Sequence, residues 1–379
     1  YQVIHSLTSA RGSRRWGFSA ALNMSLRERL GIFVAGGGAA VEIPERLMNL
    51  PGWSLDVITH VLKAQRQLKG SRDAELQTLW QALPVCSIVC SEQDPQLGEG
   101  TYGTIQQTGG QVYKQLRVMS MEEREKWFRL VIEALIQAVV HQAVPFATPD
   151  ATVCKGRQGR VGDERLIMLT SQLDDTVRRK CSASLDGCSL LELLDLMAQM
   201  IMIYIGILDA GLSFSHNDLH VSNIMYKQVD EPVTLTVGAV TYRSLTHSHW
   251  MLIDFGRACL YDNARSFTLY AKKPGDACYA NEDDLPSIIE EVFSVVNKQM
   301  QLRLREKKQL KPGNVATRQL FDFVESVYSL RRRDINIPDL VRVLRDIESE
   351  IEKEEEEERA GKGGRRRSRS PRSRGGVSQ

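Results

Sequence analysis

The segment His216-Asn-Asp218-Leu-His-Val-Ser-Asn223-Ile-Met225 decides how this chain folds, together with Trp250-Met-Leu-Ile253-Asp254-Phe255-Gly256 further on. The first has the pattern H-x-D-x-x-x-x-N and follows a short strand pattern, Leu212-Ser-Phe214. Its spacing has a chemical purpose. Asp218 can accept a hydroxyl proton while Asn223, five residues on, turns back toward a metal ion. In the second segment an apolar strand runs straight into Asp254, a hard oxygen ligand of the kind Mg²⁺ takes where it bridges phosphates.

Upstream, Leu97 precedes Gly98-Glu99-Gly100-Thr101-Tyr102-Gly103, a G-x-G-x-x-G match. Taken alone that match is weak, because dinucleotide-binding folds and protein kinases both use it. A dinucleotide fold needs a helix directly after the glycines. Here Thr104 to Gln107, including Ile105, reads as strand, Thr108-Gly109-Gly110 as turn and Gln111 to Leu116 as a second strand. A Walker loop is excluded too, since Gly103-Thr104-Ile105 stands where Gly-Lys-Ser/Thr is required. The pattern predicts a hairpin lid whose backbone N–H groups face phosphates. Lys114 lies on its second strand. Ser120 and Glu123 form a capping-box pattern that starts a helix, almost wholly apolar from Leu130 to Val140 except for Glu133 and Gln137. A carboxylate in such a run is costly to bury unless paired, so Glu133 is expected to pair with Lys114 and hold it against the α- and β-phosphates.

These motifs, in this order and on these elements, resemble a eukaryotic-type protein kinase catalytic domain, from Leu97 to about Leu344. The run His-Asn-Asp-Leu-His-Val-Ser-Asn-Ile-Met, with Ile253-Asp-Phe-Gly-Arg-Ala258, is particularly similar to divergent kinases of large DNA viruses, as is the long connection from Lys227 to His249. The resemblance implies an α+β, bilobal fold: an antiparallel-sheet lobe and a mainly helical lobe with ATP between them. It implies a hinge near Thr170 to Leu173 and a buried Asp284 at the start of a central helix. ATP and Mg²⁺ are the implied cofactors. Leu97 to Gly103, Ile105 and Lys114 would contact nucleotide, Asn223 and Asp254 metal, and Asp218 would serve as base with Lys114 and Glu133 supporting transfer. A protein substrate, serine/threonine-directed, is the implied acceptor.

The chain departs from the family in places. Asn217 replaces the usual arginine, His220 replaces the lysine common in serine/threonine kinases, and no Ala-Pro-Glu motif stands between Gly256 and Asp284. Asp218-Leu-His220 also resembles aminoglycoside and choline kinases, so a small-molecule phosphotransferase remains an alternative. A non-enzymatic pseudokinase scaffold is the third reading, weakened because no catalytic position is missing.

Outside this block the chain is less informative. It has 379 residues, 42% apolar and 25% charged, with a net charge of +2. That balance supports a sizeable core and excludes wholesale disorder or a strong general affinity for nucleic acid or anionic membranes. Residues 1–91 read as a helical leader of unknown role, with helical spacing over Ser54 to Leu68 and Ala74 to Leu83, and with Ala35 to Gly38 as a flexible turn. The catalytic block spans residues 92–345. Residues 346–379 are acidic, then Arg/Ser-rich, and are expected to be disordered, with RNA or a nuclear-import partner as possible contacts. The chain begins at Tyr1, which suggests a piece of a longer product. Seven scattered cysteines, none spaced C-x-x-C, point to reduced thiols in an intracellular protein of the cytoplasm or nucleus. No membrane association is expected, because the most apolar stretch, Leu196 to Leu208, reads as a buried helix.

Overall fold

A five-stranded antiparallel sheet carries the glycine-rich segment and Lys114. Its strands are β1 (Gln96–Gly100), β2 (Gly103–Thr108), β3 (Gln111–Arg117), β4 (Ala151–Gly156) and β5 (Arg165–Ser171), in the order β1-β2-β3-β5-β4. The hairpin expected from the glycine spacing is present, with Ile105 opposite Lys114 and Gln106 opposite Tyr113. The structure is a computed structural model. It describes residues 43–67, 72–86, 94–100, 103–108, 111–117, 121–156, 165–181, 187–244, 246–262 and 267–271. Asp284, Ile288, Val292, Val295, Asp346, Ser349 and Lys353 are described as isolated positions. Residues 1–42 form one unit and residues from Ile43 onward another. The Ala35 to Gly38 turn and the Arg/Ser-rich segment lie outside the described residues.

Among the described residues three helices precede the sheet: α1 (Glu45–Met48), α2 (Leu55–Arg66) and α3 (Asp73–Ala82). Ser54 caps α2 by accepting from the Val57 N–H at 3.3 Å, and Val57, Ile58, Val61 and Leu62 form its buried face. α4 (Met121–Ala143) follows β3, and every residue from Leu130 to Val140 is buried. A helix apolar all round belongs inside a fold, and this one packs against β4 and β5. The Ser120–Glu123 cap falls outside the described residues.

The second half is built on α6 (Leu190–Asp209), reached through β6 (Asp175–Thr176) and α5 (Val177–Lys180). Ser189 and Glu192 form a capping box at its start, which the sequence reading did not pick out. At its end Gly211 turns the chain with φ +75°, a conformation glycine adopts at no steric cost. α6 is the one described helix long and apolar enough to cross a membrane, and it is mostly buried inside the fold. The polar residues within it have partners. Gln199 donates to the Ser248 carbonyl and accepts from the Trp250 N–H, both at 2.9 Å. Asp195 accepts from the Tyr242 hydroxyl and the Thr246 N–H.

Further strands surround the candidate site. β7 (Leu212–Ser215), β12 (Cys259–Asp262) and β13 (Thr268–Tyr270) form one sheet, and β11 (Ser248–Leu252), β8 (Ile224–Gln228) and β6 another. The long connection after the Asp218 loop folds back as a hairpin of β9 (Thr234–Val237) and β10 (Val240–Arg243). Every pairing between the described strands is antiparallel. The chain is therefore an α+β protein with antiparallel sheets.

One expectation is corrected: Cys86 is bonded to Cys154, where reduced thiols were expected. The pair is 68 residues apart in sequence, so only the fold can reveal it; a parallel bridge between Val85 and Lys155 sets the two cysteines side by side. Asp346, Ser349 and Lys353, in the segment expected to be disordered, are exposed helical positions, and the rest of that segment lies outside the described residues.

Candidate active site

Lys114, Glu133 and Asp254 come from three distant segments and meet. Lys114 Nζ donates to Glu133 Oε1 at 2.9 Å and Oε2 at 3.2 Å. Asp254 Oδ1 is 3.6 Å from the same nitrogen. Glu133 is only 2% exposed. Burial pushes its carboxyl above the ordinary range and Asp254 adds to the rise, while Lys114 opposes both. A buried ion pair is a poor source of net stability, because desolvation offsets most of the attraction. What it supplies is a fixed position for the ammonium.

Backbone geometry sets the loop that carries Asp218 and Asn223. It leaves β7 at Ser215 and re-enters a strand at Ile224. Asn217 has φ +57° and Asp254 φ +58°, left-handed conformations that Asn and Asp tolerate better than most residues. Asp284, 4% exposed, accepts from the backbone N–H of both His216 and Asn217 and from the Ser215 hydroxyl. This is the buried aspartate expected from the Asp-Leu-Pro-Ser-Ile segment. Ile288 and Val292, at four-residue spacing after it, are buried helical positions.

Asn223 Nδ2 donates to the Asp218 backbone carbonyl at 2.8 Å, and the Asn223 backbone carbonyl accepts from the Ile253 N–H at 3.0 Å. The two motifs are thus joined through their main chains. His216 reinforces the joint: its Nε2–H donates to the Ile253 carbonyl at 2.8 Å, which fixes the tautomer. Burial pushes the His216 pKa down, so the ring stays neutral. Phe255 packs against both His216 and Phe214.

The glycine-rich segment occupies β1 and the start of β2. Gly98, Glu99 and Gly100 pair with Ile105, Thr104 and Gly103 respectively. Leu97 is 41% exposed, unusual for a leucine, and Ile105 is half-buried. Thr101 and Tyr102 lie outside the described residues. Thr170 and Ser171, in the segment where a hinge was expected, end β5, and Leu173 after them is buried.

A divalent cation fits the donors present. With Nδ2 of Asn223 committed to the Asp218 carbonyl, its Oδ1 is a neutral oxygen donor which, with the carboxylate of Asp254, would supply the two hard oxygens such a cation takes. Among the described residues no group of three or more His, Cys, Asp or Glu is arranged to hold a metal. Mg²⁺ shared with phosphates needs only one or two protein oxygens.

Arg257, two residues beyond Phe255, places Nη1 3.2 Å from Asp218 Oδ1. Arg72 and Glu125, which the sequence reading did not single out, form an ion pair at 3.3 Å between the leader and α4. A charge before a helix carries no local signal that could have marked them. No family model matches the chain, and no curated protein matches it.

Proposed function

We propose that this chain is an ATP-dependent protein kinase, serine/threonine-directed, with the bilobal kinase architecture and with Asp218 as the base. The observation that carries the reading is the convergence of Lys114, Glu133 and Asp254 next to a loop whose backbone ties Asp218 to Asn223. Each residue has a distinct task. Lys114, held by Glu133, is placed to bind the α- and β-phosphates of ATP. The N–H groups of the glycine hairpin cover the phosphates. Asn223 and Asp254 would hold Mg²⁺, which when bound would neutralise phosphate charge. Asp218 accepts the acceptor's hydroxyl proton as its oxygen attacks the γ-phosphorus, and ADP leaves. Placement and electrostatics, rather than a covalent intermediate on the protein, carry such a transfer.

Asp218-Leu-His220 also favours a second reading, a small-molecule phosphotransferase on the same scaffold. His220 is turned into its own loop, its Nδ1 accepting from the Ser222 N–H at 3.2 Å, and supplies no fixed cation beside the base. One experiment separates the two. The purified chain is incubated with labelled ATP and Mg²⁺ in the presence of a protein and peptide library, and in parallel with aminoglycosides and choline. Label is expected on serine or threonine hydroxyls of peptides. Label on small molecules alone would overturn the protein-directed reading, and no transfer to any acceptor would overturn both.

A further inference from the structure

Arg72 stands just ahead of α3 and is 2% exposed. A guanidinium cannot shed its charge on burial, so it must be paired. Its Nη1 reaches both carboxylate oxygens of Glu125 in α4, at 3.4 and 3.3 Å. Its Nη2 donates to the Gln67 carbonyl at 2.9 Å, and the guanidinium lies 5.6 Å from the Phe128 ring centroid. Trp80 of α3 meets Trp127 of α4 edge-on at 5.4 Å. The leader thus grips the N-terminal half of α4 at Glu125, Trp127 and Phe128.

That grip sits two turns from the candidate site. Glu125, Arg129 and Glu133 follow at four-residue intervals and so share one helix face. Eight residues separate Glu125 from Glu133, roughly 12 Å along the axis. A second strap leaves the leader at α2. Gln65 Nε2 donates to the Tyr270 carbonyl of β13 at 3.2 Å, and the Tyr270 hydroxyl donates back to the Gln65 carbonyl at 3.5 Å.

We infer that the leader's described residues between 43 and 86 act as a clamp within the chain on the Lys114–Glu133 pair, with Arg72 as the positioning residue. The inference rests on reading that pair as the one that places phosphate. An outward swing of α4 would rehydrate the Glu133 carboxylate and release Lys114. The clamp opposes that swing by holding the same face of the helix two turns upstream. Arg72 touches neither nucleotide nor acceptor; it acts through Glu125 and the rigidity of α4.

The test reads Lys114 directly. Its side chain is 13% exposed and paired, so it should react slowly with an amine-acylating reagent in the whole chain without nucleotide. The exposed Lys227 provides an internal reference. Arg72→Ala should raise Lys114 labelling about fivefold, as expected when a coupling contact is lost. Arg72→Lys should restore only part of the protection, since an ammonium cannot span Glu125 and Gln67 as the guanidinium does. If Arg72→Ala fails to fold, Glu125→Gln keeps the shape, removes the charge and is judged by the same rise. Unchanged Lys114 labelling in a variant with a cooperative unfolding transition would overturn the clamp. A wild-type chain that transfers no phosphate, yet whose Lys114 still responds to Arg72, would overturn the kinase reading and leave the clamp standing.

Discussion

Arg257 Nη1 lies 3.2 Å from Asp218 Oδ1, and the Asn217 carboxamide donates to the Arg257 carbonyl at 3.2 Å. Asn217 thus bonds the backbone of the same residue whose guanidinium pairs with Asp218, the proposed base. The Arg257 side chain is 62% exposed, and exposed pairs contribute at most about 1 kcal/mol to stability. Arg257→Ala should therefore leave the unfolding temperature nearly unchanged. Its kcat should fall several-fold while KM for ATP stays constant, because the lost contact orients the base rather than the nucleotide. Steady-state kinetics beside thermal unfolding checks both halves.

Asp218→Asn should abolish transfer with nucleotide binding almost intact. Loss of a positioned base costs roughly 10²–10⁴-fold. Turnover at the wild-type rate would remove Asp218 from its assigned role.

Asp254→Asn should act on the other side of the reaction, weakening Mg²⁺-dependent nucleotide binding. Titration of a fluorescent ATP analogue with and without Mg²⁺ measures it. An undiminished Mg²⁺ effect in the variant would mean that the cation is held elsewhere.

Glu133 is expected to set the acid limb of the proposed activity. Its folded-state pKa is raised by burial, above the ordinary 4.5. The folded chain therefore binds this proton more readily than the unfolded chain, and the linkage sign follows: stability from this group is full below 4.5 and is lost as pH rises through the raised value. Activity runs the opposite way, since only the ionised carboxylate holds Lys114. The rate should fall on acidification at a pH above the ordinary glutamate range. In Glu133→Gln that limb should disappear, along with most of the activity and the wild-type slope of stability against pH. Paired pH–rate and pH–denaturation profiles decide it.

Dephosphorylation should leave the activity unchanged. Phosphate orders an activation segment by bonding to arginine, and Asn217 offers no charge while Arg257 is engaged with Asp218. The segment already has other anchors: Thr268 and Leu269 are laddered to Tyr261 and Leu260, and Tyr270 is strapped to Gln65. Initial rates before and after phosphatase treatment, with Thr268→Ala and Ser266→Ala as genetic controls, measure the effect. Collapse of activity in both preparations would show that phosphorylation is required.

What could be read from sequence was what repeats over short distances. The hairpin around Thr108-Gly109-Gly110, the apolar runs of α4 and α6 and the stop at Gly211 are local patterns, and the structure contains them. The Lys114–Glu133 pair was legible because a lone carboxylate in an apolar helix demands a cation. Contacts between distant surface-type residues left no trace. Arg72 and Glu125 look like ordinary solvated charges until α3 is laid against α4. Cys86 and Cys154 become neighbours only once the leader is docked on β4.

That docking has a consequence for how the protein must be handled. β4 is the outer strand of the five-stranded sheet, and Lys155 on it is covered on both backbone groups, its N–H by the Pro84 carbonyl and its carbonyl by the Cys86 N–H. Trp53 caps the same strand by donating to the Ala151 carbonyl at 3.0 Å. A chain shortened to begin at the glycine-rich strand would keep every side chain of the candidate site and lose this cover. The bared edge would present an unpaired row of hydrogen-bonding groups beside Val153 and Cys154, a template on which a second chain can add a strand. Such a truncation should precipitate or self-associate as its concentration rises, while a fragment starting near Ile43 should stay monodisperse.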